Sequence, residues 1–111
     1  MVATTEFDAW VDRQTKETQV AVRYVLRILA GTGPMLGRPY ADTLKGSRFP
    51  NMKELRVNAN RLAVRIAFAF DPERNAVILV AGDKRGVSEK LFYRRLIEKA
   101  DKLYLEYLTA R

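Results

Sequence analysis

The sequence predicts a single α+β domain, with two N-terminal helices packed on a small twisted antiparallel β-sheet and one further helix at the C-terminal end. Three observations predict it. The chain has 111 residues, enough for one core and too few for two. Apolar residues recur at helical spacing near both ends, whereas Leu62 to Phe70 alternates strictly and Ala76 to Ala81 is apolar at every position. Hydrophobic residues make up 48% and charged residues 30%, a balance that excludes an intrinsically disordered chain.

The elements follow in order. Thr5, with Asp8 three residues on, opens a short helix in which Phe7, Trp10 and Val11 share a face. Thr15 caps a second helix, with Glu17 in its first turn and an apolar stripe of Val22, Val25, Leu26 and Leu29. Gly31, Gly33 and Pro34 end it. A connecting stretch rich in Gly and Pro then runs over 31–52 and carries Arg38, Lys45 and Arg48. Lys53 to Val57 reads as a strand, and Asn58, Ala59 and Asn60 as a turn. In the strand that follows, Leu62, Val64, Ile66, Phe68 and Phe70 take one face, while Arg61, Ala63, Arg65, Ala67 and Ala69 take the other. Asp71 to Asn75 forms a turn before Ala76–Ala81, which suits a central strand covered on both faces. Gly82 to Gly86 is a tight basic loop. Ser88 caps the last helix, where Phe92, Leu96, Ala100, Leu103 and Tyr107 run beside Tyr93, Ile97, Tyr104 and Leu108.

Composition narrows the chemistry. The chain carries 20 Lys and Arg against 13 Asp and Glu, a net charge of +7, and lacks both Cys and His. Disulfides, thiol nucleophiles, Cys/His zinc sites and histidine-based triads are therefore excluded, and no metal or other cofactor is expected. Acid–base work falls to Lys, Arg, Tyr and the carboxylates. The apolar runs are too short to span a bilayer, and the acidic N-terminal segment does not read as a signal peptide, so the expectation is a cytoplasmic protein without a membrane role. The excess charge is concentrated in 41–70, with six basic and two acidic residues, which suits a polyanionic partner and equally a merely solubilising surface.

Arg65 stands out, mid-strand between Ala63 and Ala67 on the face opposite the large apolar residues. Small neighbours would leave a groove where a phosphate could meet the guanidinium. The structural alternative is an ion pair with Glu54 on the adjacent strand. Arg56 shares its parity with Glu54 and could join Arg65 on the open face, or simply guard a sheet edge. Lys84 and Arg85 lie between two glycines that allow close backbone approach, although the loop lacks the Walker A pattern and could equally be a solvated turn. Tyr93 lies one position round from the core stripe, where its phenol could stack on a base or exchange a proton.

Taken together, Asp42-Thr-Leu-Lys-Gly-Ser-Arg, Asn51-Met-Lys-Glu-Leu-Arg, the strand holding Arg65, Phe68-Ala-Phe-Asp-Pro, Gly82-Asp-Lys-Arg-Gly, Phe92-Tyr93 and Lys99-Ala-Asp-Lys-Leu-Tyr resemble the HigB-type branch of the RelE/ParE toxin superfamily. The resemblance runs through nearly the whole chain. It implies a RelE-like fold and the toxin of a bacterial or phage type II toxin–antitoxin module. The implied activity is ribosome-dependent mRNA endonuclease (mRNA interferase) chemistry, in which a ribose 2′-hydroxyl attacks the adjacent phosphate. By the same resemblance Arg65, Arg85 and Tyr93 are the catalytic candidates, and Lys45, Lys53, Arg56 and Lys84 the RNA-binding ones. The implied partners are the ribosome with its mRNA and a cognate antitoxin of the helix-turn-helix HigA type. The chain departs from the pattern in lacking the family's acid–base lysines or histidines, and in having only Met1–Thr4 for an opening strand, which is therefore expected to be short or missing. Two alternatives share the residues: a ParE-like DNA gyrase inhibitor of the same fold, and a non-catalytic nucleic-acid-binding module.

Overall fold

The computed structural model describes residues 1–59 and 61–111. Strand β1 (Val2–Ala3) leads into helix α1 (Thr5–Asp12) and helix α2 (Lys16–Thr32), followed by one 3₁₀ turn at Gly33–Met35. Strands β2 (Ala41–Thr43), β3 (Met52–Val57), β4 (Val64–Phe70) and β5 (Ala76–Asp83) come next, and helix α3 (Glu89–Thr109) closes the chain. The expected turn at Asn58–Asn60 falls partly on Asn60, which lies outside the described residues.

The sheet order is β1-β5-β4-β3-β2. Four strands form an antiparallel meander, but β1 lies parallel to β5, with Val2 opposite Val77 and Ala3 opposite Ile78. The expectation of a purely antiparallel sheet is thus corrected to a mixed five-stranded one. The opening strand is present and two residues long. Both extra strands sit at sheet edges and are too short for periodicity to register; only backbone pairing reveals them. Thr4 fixes β1 and α1 together. Its hydroxyl donates to Leu79 O at 2.6 Å and accepts from Phe7 N–H at 3.0 Å, so the cap falls one residue before the expected Thr5. Thr15 and Ser88 cap α2 and α3 as expected. Helix α2 runs through Gly31 and stops at Gly33, whose φ of +72° favours glycine.

Both faces of the sheet are covered. Phe7, Val22, Val25 and Leu29 from α1 and α2 pack on Leu55, Val57, Val64, Ile66, Phe68 and Ile78. On the opposite face, Phe92, Leu96, Ala100 and Tyr104 of α3 pack on Met52, Ala67, Ala69, Val77, Leu79 and Val80. A register shift opposite Ala67 and Phe68 puts the successive residues Leu79 and Val80 into the same layer. The expected groove beside Arg65 is filled by the chain itself: Ala67 and Ala69 are small because α3 lies across them. Arg65 is consequently 5% exposed, and the open basic face is corrected to a buried one at Arg65, while Arg56 stays partly exposed.

Candidate functional site

The uncovered part of the α3 face is the end of the sheet near β2, where α3 begins. Here the pairing places Arg56 of β3 directly opposite Arg65 of β4. Like charges in that position repel. Glu54 lies two residues along β3 on the same face and offsets both. Its Oε2 is 3.4 Å from Arg56 Nη2, and its Oε1 is 3.8 Å from Arg65 Nε. Glu54 is 4% exposed, so these cationic partners offset the cost of burying a carboxylate. Arg65 Nη1 also donates to Asn58 Oδ1 at 2.8 Å and to Val64 O at 2.9 Å.

The third partner of Glu54 comes from α3. Tyr93 Oη donates to Glu54 Oε1 at 2.8 Å. Gly82 on β5 makes this placement possible, because a Cβ there would sit 3.0 Å from Phe92 Cε1. With no side chain in the way, the Phe92 ring seats on the strand, and its edge meets the Tyr93 ring at 5.2 Å between centroids. Burial raises the Tyr93 pKa above its ordinary value, and the hydrogen bond and charge of Glu54 raise it further, against a smaller opposing pull from Arg65. The phenol therefore holds its proton at neutral pH. Lys84 Nζ lies 5.9 Å from the centre of the same ring and 3.2 Å from Glu89 Oε1.

The network continues to the sheet edge. Asp42 of β2 lies 3.6 Å from Arg56 Nη2 and 2.8 Å from Arg38 Nη2. Its carboxyl is held below the usual carboxylate range by the Thr43 N–H and by Arg38. Arg38, Asp42, Lys45, Glu54, Arg56 and Tyr93 border a cavity of about 390 Å³. Among the described residues, the Nε–H groups of Arg56 and Arg65 are buried without a hydrogen-bond acceptor. The cluster thus holds cationic side chains beside a protonated phenol on a carboxylate. Such a set can grip an anion and pass a proton.

The other expected residues are placed as follows. Arg85 is half exposed on the β5–α3 loop and turned onto Asp83, with its Nε donating to Oδ2 at 2.7 Å. That contact raises the Arg85 pKa; burial pushes Asp83 upward, but the bonds from Arg85 outweigh it and hold the carboxyl low. Lys53 shares its sheet face with Phe68 and Leu55, on the α2 side, away from the Glu54 cluster. The structure therefore brings together Arg65, Arg56, Tyr93, Lys45 and Lys84, and sets Arg85 and Lys53 apart. Glu54 was named from sequence as the ion-pair alternative for Arg65, and that pair is present; its place as a hub, with Asp42, Arg38 and Asn58, was not singled out. The shared parity of Glu54 and Arg56 was the available signal; the 39-residue separation of Tyr93 from Glu54 hid the rest. Among the described residues no group of three or more acidic side chains is placed to hold a metal ion, and no helix is long and apolar enough to cross a membrane.

Residues 9–105 match the family described as phage derived protein Gp49-like (DUF891). A Mycobacterium tuberculosis protein named "Putative toxin HigB2" is 44% identical over 102 residues, which is 91% of this chain and 50% of that protein. A second from the same organism, named "Putative toxin HigB3", is 36% identical over 105 residues, covering 95% of this chain and 90% of that protein. The chain therefore spans about half the length of the first relative and nearly all of the second. No solved structure matches the chain.

Proposed function

The chain belongs to the phage-derived Gp49-like family, and we propose that it is the toxin of a toxin–antitoxin pair, an mRNA endonuclease of the RelE/HigB type that acts on the ribosome. The toxin reading is supported by the names of the two mycobacterial relatives. The observation that carries the chemistry is the Tyr93–Glu54 hydrogen bond at 2.8 Å, lying beside the guanidinium groups of Arg56 and Arg65.

In the proposed reaction, the cavity takes the phosphate next to the attacked ribose. Arg56, Arg38 and Lys45 line it and supply cationic donors to the charge that builds on the non-bridging oxygens. The 2′-hydroxyl gives its proton to Tyr93 Oη as Tyr93 passes its own to Glu54. The 2′-oxygen then bonds to phosphorus and the bond to the 5′-oxygen breaks. Lys84, beside the Tyr93 ring, protonates the leaving oxygen. Arg65 is enclosed under Tyr93, and in this reading it is a positioning residue that fixes Glu54 and Asn58. Arg85 extends the RNA track along the β5–α3 loop, and Lys53 contacts backbone phosphate from the opposite face. The ribosome orients the substrate and an antitoxin masks the basic surface. With neither His nor Cys in the chain, much of the rate comes from that positioning.

The test is to map mRNA 5′ ends in a cell-free translation reaction. Wild-type protein should create new ends inside translated frames, dependent on ribosomes. Tyr93→Phe, which keeps the ring and removes only the proton carrier, should slow cleavage by about 10²–10⁴-fold. Intact mRNA with folded wild-type protein, or full activity in Tyr93→Phe, overturns this mechanism; inhibition of DNA gyrase in its place would assign the ParE-like activity.

A further inference from the structure

Resting on the RNA reading above, we propose that the cavity between α2 and the Pro39–Tyr40 strap is a nucleobase pocket, which takes the base of a nucleotide whose phosphate sits at Arg56. The cavity measures about 520 Å³, and Tyr24, Val25, Pro39, Tyr40, Arg56 and Asn58 border it. Its size is ordinary for a small-ligand site.

Four observations favour a base. First, Tyr24 is 57% exposed and Val20, one turn before it, 58% exposed. Val20, Tyr24 and Arg27 stand at i, i+4 and i+7, so an aromatic ring is presented in an exposed row that ends in a cation. Second, Tyr24 and Tyr40 border the same cavity, and the nearby Tyr24 phenol raises the Tyr40 pKa. Third, an exposed polar side chain on the border of the cavity is already oriented. Asn58 Oδ1 accepts from Arg65 Nη1 at 2.8 Å, so the other end of that amide, with its two N–H donors, is the end left to meet a base edge. Fourth, the pocket is continuous in charge and in chain with the cationic cavity. Arg56 borders both, and the strap between them alternates: Arg38 and Asp42 face the phosphate side, Pro39 and Tyr40 the base side.

A single strand crossing this strap would place phosphate and base on its two sides. Stacking on a tyrosine tolerates every base; the amide of Asn58, pinned by Arg65, adds discrimination in favour of an acceptor-bearing edge. Arg65 would then connect the two sites, holding Glu54 on one side and Asn58 on the other.

The experiment is fluorescence anisotropy with a labelled single-stranded hexaribonucleotide at low salt, without ribosomes. The variants are Tyr24→Ala and Tyr24→Phe, at a position exposed enough for both to fold. Tyr24→Ala should lose about tenfold in affinity with its salt dependence unchanged, since phosphate contacts remain. Tyr24→Phe, which keeps the stacking face, should bind as wild type does. Equal affinity in Tyr24→Ala overturns the pocket, as does a wild-type protein with no affinity for the hexamer. Loss of antitoxin binding in Tyr24→Ala with RNA affinity intact also overturns it and gives the cavity to a protein partner. A wild-type protein that cuts mRNA while Tyr24→Ala binds normally removes the pocket alone. A tenfold Tyr24 effect without any cleavage removes the endonuclease reading and leaves the pocket standing.

Discussion

Glu54→Gln separates a buried charge hub from a decorative ion pair. Glu54 is 4% exposed, and its oxygens lie 3.4 Å from Arg56, 3.8 Å from Arg65 and 2.8 Å from the Tyr93 hydroxyl. At an effective dielectric of about 20, each charge pair attracts by roughly 4–5 kcal/mol before desolvation is counted. Glutamine keeps the shape and removes the charge. Arg65, with 7% of its side chain exposed, is then left as an uncompensated buried cation. Breaking such a pair from one side costs about 3–5 kcal/mol, against a total stability of about 5–15 kcal/mol for a domain. Urea unfolding followed by far-UV circular dichroism should therefore show Glu54→Gln near the lower limit of stability. Adding Arg65→Met removes the orphaned charge, and the double variant should recover to within about 2 kcal/mol of wild type. A Glu54→Gln protein within about 0.5 kcal/mol of wild type would refute the hub, because Arg65 would then need no counter-charge.

Two other expectations follow from packing and from ionisation. Gly82→Ala crowds the Phe92 ring, since the new Cβ would lie 3.0 Å from Phe92 Cε1 and the ring must shift by a few tenths of an ångström. It should cost about 1–3 kcal/mol in chemical denaturation and slow mRNA cleavage by disturbing the neighbouring Tyr93. Three carboxyls sit below their ordinary pKa in the folded chain. Asp42 is held by the Thr43 N–H and Arg38; in Asp71 and Asp83 burial pushes upward but is outweighed, by the Asn75 N–H and Tyr107 hydroxyl in one and by Arg85 in the other. A group whose pKa is depressed by folding contributes stability above its unfolded value, and that contribution is lost as pH falls through the folded value. The urea midpoint should accordingly hold steady from pH 7 to about 5 and drop below about pH 4. Asp71→Asn should flatten part of that drop, whereas an identical decline in the variant would exclude Asp71 as a contributor.

Most of the fold was legible because it rests on periods the sequence displays. The alternation of Val64, Ile66 and Phe68, the continuous run Ala76–Ala81 and the stripe Val22, Val25, Leu29 each report a face that tertiary structure then buries. The short edges β1 and β2 were not legible, since two or three residues carry no period and are held by pairing alone. The site divided along the same line. Parity on β3 put Glu54 beside Arg56, and alternation put Arg65 opposite the core residues of β4.

What the sequence determined by itself was therefore the local geometry: which residues are helical, which alternate, which faces are apolar, and that a +7 chain without Cys or His must do any chemistry with Arg, Lys, Tyr and carboxylates. The tertiary structure alone decided where the open surface lies. The small residues Ala63 and Ala67 beside Arg65 read as a groove for a ligand, yet Ala67 serves, with Ala69, as a seat for a helix. Only the docking of α3 chose between them, and in doing so it buried Arg65 and brought Tyr93 onto Glu54. The physical reason is range. Periodicity is set by neighbours within a few residues, whereas Tyr93 and Glu54 stand 39 residues apart, and the free energy of packing whole layers brings them together.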